Sequence, residues 1–273
     1  AIYHSWIISL CVAVLLLVII AVLAIKRNAF FAKINSFIEN NSNPNNTVKK
    51  CSPFYLNICY FSLRLVYFLS GIRIKGYNKY GKAIENPSIV LCNHGSFNDF
   101  IYAVKMIRKK KPNFIVARLY FYNDLLRTLL RNLGCFPKSM FTADLESTKN
   151  CLRVLKNGSV LAMMPEARLS TAGVFEDIQE RTYSFLKKSN VPVYTIKISG
   201  DYLAKPKWAK AIRRGSIVEV ELDILFTAEQ INALSVEEIK KAVEERLYYN
   251  EFEWLESKPK IKYRSKSFAE GLE

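Results

Sequence analysis

The stretch Ser88-Ile89-Val90-Leu91-Cys92-Asn93-His94-Gly95-Ser96-Phe97-Asn98-Asp99 begins as a strand and ends where a helix starts. Ser88 to Cys92 is a short apolar run suited to a buried strand, and Phe100, Ile101, Val104 and Ile107 then recur at helical spacing. Strand, turn and helix in that order are the unit from which α/β folds are built. The turn carries His94. The chain has two histidines, and His4 lies at the edge of an apolar N-terminal run, so an imidazole base in the folded body has to be His94.

Asp99 stands five positions after His94. On a continuous helix that separation splays two side chains, whereas across a strand-turn-helix junction they can meet. Asp99 could then accept the Nδ1 proton of His94, fix the tautomer and leave Nε2 free to take a proton from a hydroxyl. A structural alternative is equally open on the pair alone: Ser96 as N-cap, with Asp99 as the acid of a variant capping box. Cys92 could suggest a Cys-His nucleophile, but strand alternation makes it a small packing residue.

The alternation continues on both sides. Ile72 to Gly76, Phe114 to Ala117, Val160 to Met164, Val193 to Ile198 and Ile217 to Leu225 have the character of strands. Helical stretches are expected near 97–109, 122–133, 145–156 and 235–256, the last opening on the capping box Ser235-Val236-Glu237-Glu238. The expectation is an α/β fold: one domain over 72–257, with a central mixed sheet flanked by helices. There is no internal repeat, P-loop, G-x-G-x-x-G or G-x-S-x-G elbow, which sets aside nucleotide-phosphate and serine-hydrolase chemistry.

Trp6 to Ile25 is an uncharged run of twenty residues, long enough as a helix to cross the roughly 30 Å apolar core of a bilayer. Residues 1–27 are therefore expected to form a transmembrane anchor. Lys26, Arg27 and Lys33 follow the run and no Lys or Arg precedes it, which by the positive-inside rule puts the rest of the chain on the cytoplasmic side of a cell membrane. A cleaved secretory signal fits the charge placement less well. Residues 28–52, Asn-rich towards their end, are expected to be a hinge. Residues 53–71, with Tyr55, Tyr60 and Tyr67, are expected to form a helix at the membrane interface, an ordinary core helix being the competing possibility.

Forty Lys and Arg against twenty-four Asp and Glu leave a net charge of +16, concentrated in blocks at 105–111, 205–214 and the basic tail 258–273. Beside a membrane anchor such blocks suit anionic headgroups and phosphorylated or acidic substrates. No nucleic-acid motif accompanies them, and no nucleic-acid partner is expected. The six cysteines form no C-x-x-C pair, so neither a metal site nor a disulfide framework is expected.

A second polar group, Met164-Pro165-Glu166-Ala167-Arg168-Leu169-Ser170, follows directly on the strand Val160 to Met164. At a strand end, Arg168 could hold a phosphate bidentately and Glu166 a hydroxyl, while a salt bridge closing a surface turn accounts for the same residues. The two groups together resemble the glycerolipid acyltransferase superfamily, most closely its 1-acylglycerol-3-phosphate O-acyltransferases. That family carries N-H-x-x-x-x-D and P-E-G-T-R-S blocks in this order. Its intervening G-x-(I/F)-(F/P)-x-x-R block is matched by Gly134 to Met140, and its V-P-(V/I)-x-P-V block by Val191 to Ile196. The chain departs from the family at Met140, where Arg is usual, at Ala167, where Gly is usual, and at Arg168, which sits one position early with Leu169 in the arginine's place.

The resemblance implies acyl transfer from a thioester, acyl carrier protein or coenzyme A, to the hydroxyl of a lysophospholipid. The acceptor would be 1-acylglycerol-3-phosphate or, given the departures, another lysolipid. It assigns His94 and Asp99 to catalysis and Glu166, Arg168, Lys138 and Ser170 to substrate binding, with no cofactor beyond the acyl thioester co-substrate. Membrane lipids are the implied surroundings. A non-catalytic, membrane-tethered lipid-binding protein would explain charge and anchor but not both strand-end groups, and a thioesterase would use water as acceptor.

Overall fold

The computed structural model describes residues 48–140, 144–209 and 212–258, which belong to a compact unit beginning at Asn46. The expected transmembrane run, most of the expected hinge and nearly all of the basic tail lie outside the described residues. Among the described residues no helix is long and apolar enough to cross a membrane.

Seven strands form a mixed sheet: β1 (Arg73–Asn78), β2 (Ser88–Cys92), β3 (Asn113–Ala117), β4 (Phe136–Lys138), β5 (Val160–Met163), β6 (Val193–Ser199) and β7 (Ile217–Phe226). Their order is β1-β7-β6-β2-β5-β3-β4, and every neighbouring pair is parallel except β6 with β7. The helices are α1 (Pro53–Leu69), α2 (Asp99–Ile107), α3 (Asp124–Asn132), α4 (Leu145–Lys156), α5 (Glu180–Ser189), α6 (Asp201–Ala204), α7 (Ala228–Ala233), α8 (Val236–Leu247) and α9 (Glu251–Glu256).

β2 is central and buried along its whole length, because helices cover both faces of the sheet. Val90 and Cys92 pack with α1 and α2 through Tyr60, Tyr67, Ile101 and Tyr102. Ile89 and Leu91 pack on the other side with Val154, Tyr183, Leu186, Ile239 and Val243 from α4, α5 and α8. That two-sided cover is why Ser88 to Cys92 shows no polar alternation.

The strand and helix expectations hold in outline, with four differences. β4, α5, α6 and α7 have no counterpart in the sequence expectation. The helix expected over 235–256 is two helices, interrupted at residues 248–250, where Asn250 forms a β-bridge with Val174. Residues 48–52, the end of the expected hinge, are fixed in the body: Cys51 is buried, Ser52 N donates to Asn132 O at 2.9 Å and Asn113 Nδ2 donates to Lys49 O at 3.0 Å. Finally, α1 is a core helix on one face, and two of the tyrosines expected at the headgroup level, Tyr60 and Tyr67, are turned inward. Its outer face carries Phe54, Ile58, Phe61, Leu65 and Phe68, the last 76% exposed.

Candidate active site

Parallel strands place their carboxyl ends on one edge of a sheet, where open α/β folds bind ligands. Here β6, β2 and β5 are neighbours, and just beyond their carboxyl ends come Asp201, His94 and Glu166. β2 is extended by one side chain: Asn93 Nδ2 donates to Ile198 O at 2.9 Å and Asn93 Oδ1 accepts from Ile198 N at 2.7 Å, so the amide continues the ladder to β6. His94 is the first residue past that fixed point.

His94 Nδ1 lies 2.8 Å from Asp99 Oδ2. The Asp99 carboxylate also accepts from Ser96 N at 3.2 and 3.1 Å, so the same side chain holds the turn ahead of the helix and the imidazole, and Ser96 is not the N-cap of the expected capping box. The helix starts later than expected, at Asp99 with Asn98 as N-cap. Asp99 is 1% exposed at the side chain while His94 is 24% exposed, which puts the acid beneath the ring and leaves the ring open to the surface. Burial draws the His94 imidazole down to about 4 and pushes the Asp99 carboxyl up to about 7, the latter opposed by hydrogen bonds from Asp201 and Ser96. Burial also raises the Cys92 thiol well above its ordinary range, which keeps it protonated and removes the Cys-His nucleophile.

The loop after β5 clamps the histidine turn. Glu166 Oε1 accepts from His94 N at 2.9 Å, its Oε2 accepts from Glu176 N at 2.9 Å and from Tyr249 Oη at 3.4 Å, and Ser170 N donates to His94 O at 3.0 Å. Glu166 is buried, and burial raises its carboxyl to about 8. Ser170 is fully buried, its Oγ accepting from Gly173 N and Val174 N and donating to Val174 O. Pro165 and Glu166 occupy the corner of a turn closed by Ala167 N to Met164 O at 3.1 Å. Ala167 has φ +59°, a left-handed conformation that explains why glycine suits this position.

Next to the clamp is a cavity of about 160 Å³ lined by Lys138, Met140, Glu166, Ala167, Arg168, Asp177, Gln179 and Arg181. Lys138 and Arg168 thus meet at one hollow, as their sequence blocks suggested, with Arg168 paired to Glu176 at 2.6 Å. Arg181 was not foreseen. It sits in the first turn of α5, a helix whose N-cap, Gln179, makes no side-chain capping bond and which buries only Tyr183 and Leu186, so neither a cap nor a broad apolar stripe announces it. Asp201 and Tyr249 were also missed as partners of the site, since each reaches it from a distant segment, and so was the role of Asn93, whose partner Ile198 is distant. Among the described residues no group of three or more His, Cys, Asp or Glu side chains is placed to hold a metal ion.

Residues 66–199 match a protein-family model described as Acyltransferase. The chain carries an acyltransferase-family domain. Among solved structures it is similar to the 1-acyl-sn-glycerophosphate acyltransferase PlsC from Thermotoga maritima, at 20% identity and a TM-score of 0.52, covering 78% of this chain and 79% of that one. At that identity the likeness establishes the shared fold. A comparison with curated proteins gives no match. The acyltransferase domain thus contains both strand-end loops with His94, Asp99, Glu166 and Arg168.

Proposed function

We propose that this acyltransferase moves a fatty acyl group from an acyl thioester, on acyl carrier protein or coenzyme A, to the hydroxyl of a lysophospholipid with an anionic headgroup, 1-acylglycerol-3-phosphate being the leading acceptor. The observation that carries this reading is the 2.8 Å contact between His94 Nδ1 and a buried Asp99 at the mouth of the sheet, beside a hollow lined by Lys138, Arg168 and Arg181 together with Glu166 and Asp177. With Asp99 holding the Nδ1 proton, Nε2 takes the proton of the acceptor hydroxyl as its oxygen attacks the thioester carbonyl. The C–S bond then breaks, and the departing thiolate takes that proton from the imidazolium, which Asp99 has stabilised meanwhile. No covalent enzyme intermediate forms.

Lys138, Arg168 and Arg181 are suited to the acceptor's phosphate. Arg181 supports this role where Met140 and Leu169 depart from the family pattern. Glu166 and Ser170, whose polar atoms are engaged by backbone groups of the clamp, hold the histidine turn in place of touching the acceptor. The outer face of α1, with Arg64 on the helix and Arg108 stacked over Tyr60 and Phe61, fits a lipid surface, and the run Trp6 to Ile25 would be the anchor that keeps the domain on the cytoplasmic side.

The test is incubation of the full chain with a labelled acyl thioester and a panel of lysolipids. Label is expected in the diacyl lipid, with His94→Ala inactive and Arg168→Ala or Arg181→Ala raising the KM for the acceptor more than that for the donor. Label in free fatty acid alone would make the protein a thioesterase, and turnover by His94→Ala would remove the histidine from the chemistry.

A further inference from the structure

β6 ends at Ser199, Gly200 turns the chain with φ +85°, and Asp201 opens α6 fully buried. Its carboxyl neighbours that of Asp99 beneath the histidine turn. A side chain at Gly95 would meet Asp201 Oδ1 at 2.9 Å, so this carboxyl presses directly against the histidine turn. Asp201 Oδ1 accepts from Tyr202 N at 2.8 Å, while Oδ2 is buried without a donor. The turn itself is held by Glu251, whose Oε2 accepts from Gly200 N at 2.6 Å.

Two neighbouring buried carboxyls are not both ionised at neutral pH, and among the described residues neither forms an ion pair with a Lys or Arg to offset a second charge. The groups facing them are His94 from the β2 turn, Glu166 from the loop after β5, Glu251 from α9 and Tyr67 from α1, with Tyr249 behind Glu166 and Lys197 towards Glu251. Asp99 already accepts from Ser96 N and from His94, whereas Asp201 accepts from one backbone N–H. The better-solvated anion is Asp99, so the proton belongs on Asp201.

We propose that Asp201 is a positioning residue that stays protonated and donates a hydrogen bond to Asp99, making Asp201, Asp99 and His94 one working line. The proposal deepens the acyl-transfer reading and rests on it for its kinetic consequences. The neutral acid holds the Asp99 carboxylate in the orientation that meets Nδ1 and keeps it ionised to lower pH than burial alone would allow. Burial and the Asp99 charge raise the Asp201 carboxyl well above its ordinary range, in the direction the proposal requires.

The test compares the full-length wild type, Asp201→Asn and Asp201→Leu. Asp201→Asn retains a donor and is expected to keep kcat within about threefold. Asp201→Leu is expected to lose on the order of tenfold or more in kcat with acceptor KM unchanged, and to move the acid limb of the pH profile upward. Infrared spectra at neutral pH should show a protonated-carboxyl carbonyl band in the wild type that is reduced in Asp201→Asn. An unchanged band, or equal loss of kcat in Asn and Leu variants, overturns the proposal. If wild type transfers no acyl group to any lysolipid, the acyl-transfer reading fails, while the infrared comparison still decides where the proton sits, as it does should Asp201→Leu not fold.

Discussion

Asp99 satisfies the Ser96 N–H and the His94 imidazole with one carboxylate, so replacing it separates a turn-holding function from a chemical one. Asp99→Asn is expected to lower kcat by about 10²- to 10⁴-fold with little change in acceptor KM, because a neutral amide does not stabilise the imidazolium and, with its oxygen kept by Ser96 N, turns its NH2 towards Nδ1 and favours the wrong tautomer. Steady-state kinetics alongside thermal melting check this, and a lower melting temperature with kcat nearly intact would leave Asp99 only its hold on the turn. Ala167 offers a different test: its φ of +59° strains any residue with a Cβ. Ala167→Gly should therefore raise stability by up to about 1 kcal/mol in denaturant unfolding, and no gain would mean the loop compensates for the strain. His94 was legible in the sequence because it has no rival, and Asp99 because the junction geometry is local. Asn93 and Asp201 were not, since an amide that extends a ladder and an acid that shares a proton act through partners about a hundred residues away.

α1 packs one face into the core and leaves a second apolar face outward. Leu56, Tyr60 and Tyr67 face the core, and Arg108 from the turn after α2 stacks over Tyr60 and Phe61 with its guanidinium 5.1 and 5.5 Å from the ring centres. The remaining apolar face is what a lipid surface would meet. A tryptophan in place of Phe61 is expected to be quenched by brominated lipids in anionic vesicles, over and above the wild-type background; no added quenching would mean that protein covers this face. The strands were readable because the buried ones are continuous apolar runs. β4 was not, being three residues long with Pro137 at its centre. The break after α8 was hidden for another reason: Val236, Ile239, Val243 and Leu247 make a good stripe, and nothing local reveals that Tyr249 and Glu251 are drawn to Glu166 and Gly200.

Across the whole molecule, buried acids are concentrated under the site: Asp99, Glu166, Asp201 and Glu251 all have carboxyls raised by burial, the first two to about 7 and about 8. The unfolded chain releases those protons near pH 4, so between that pH and about 8 the folded state binds more protons and its stability falls as pH rises. His94, drawn down to about 4, works in the opposite sense, but only below its unfolded value near 6.5. The melting temperature is thus expected to drop from pH 6.5 to 8.5 in calorimetry, while activity climbs as Asp99 ionises; a melting temperature that rose over that interval would contradict the buried acids. The cationic hollow comes from β4, the loop after β5 and the start of α5, whereas the proton is handled by β2, α2 and α6. Glu166 joins the two sets, lining the one and gripping the backbone of the other. On the proposed function, substitutions at Lys138, Met140 or Arg181 are expected to change headgroup preference and leave the histidine chemistry in place, provided that single joint survives.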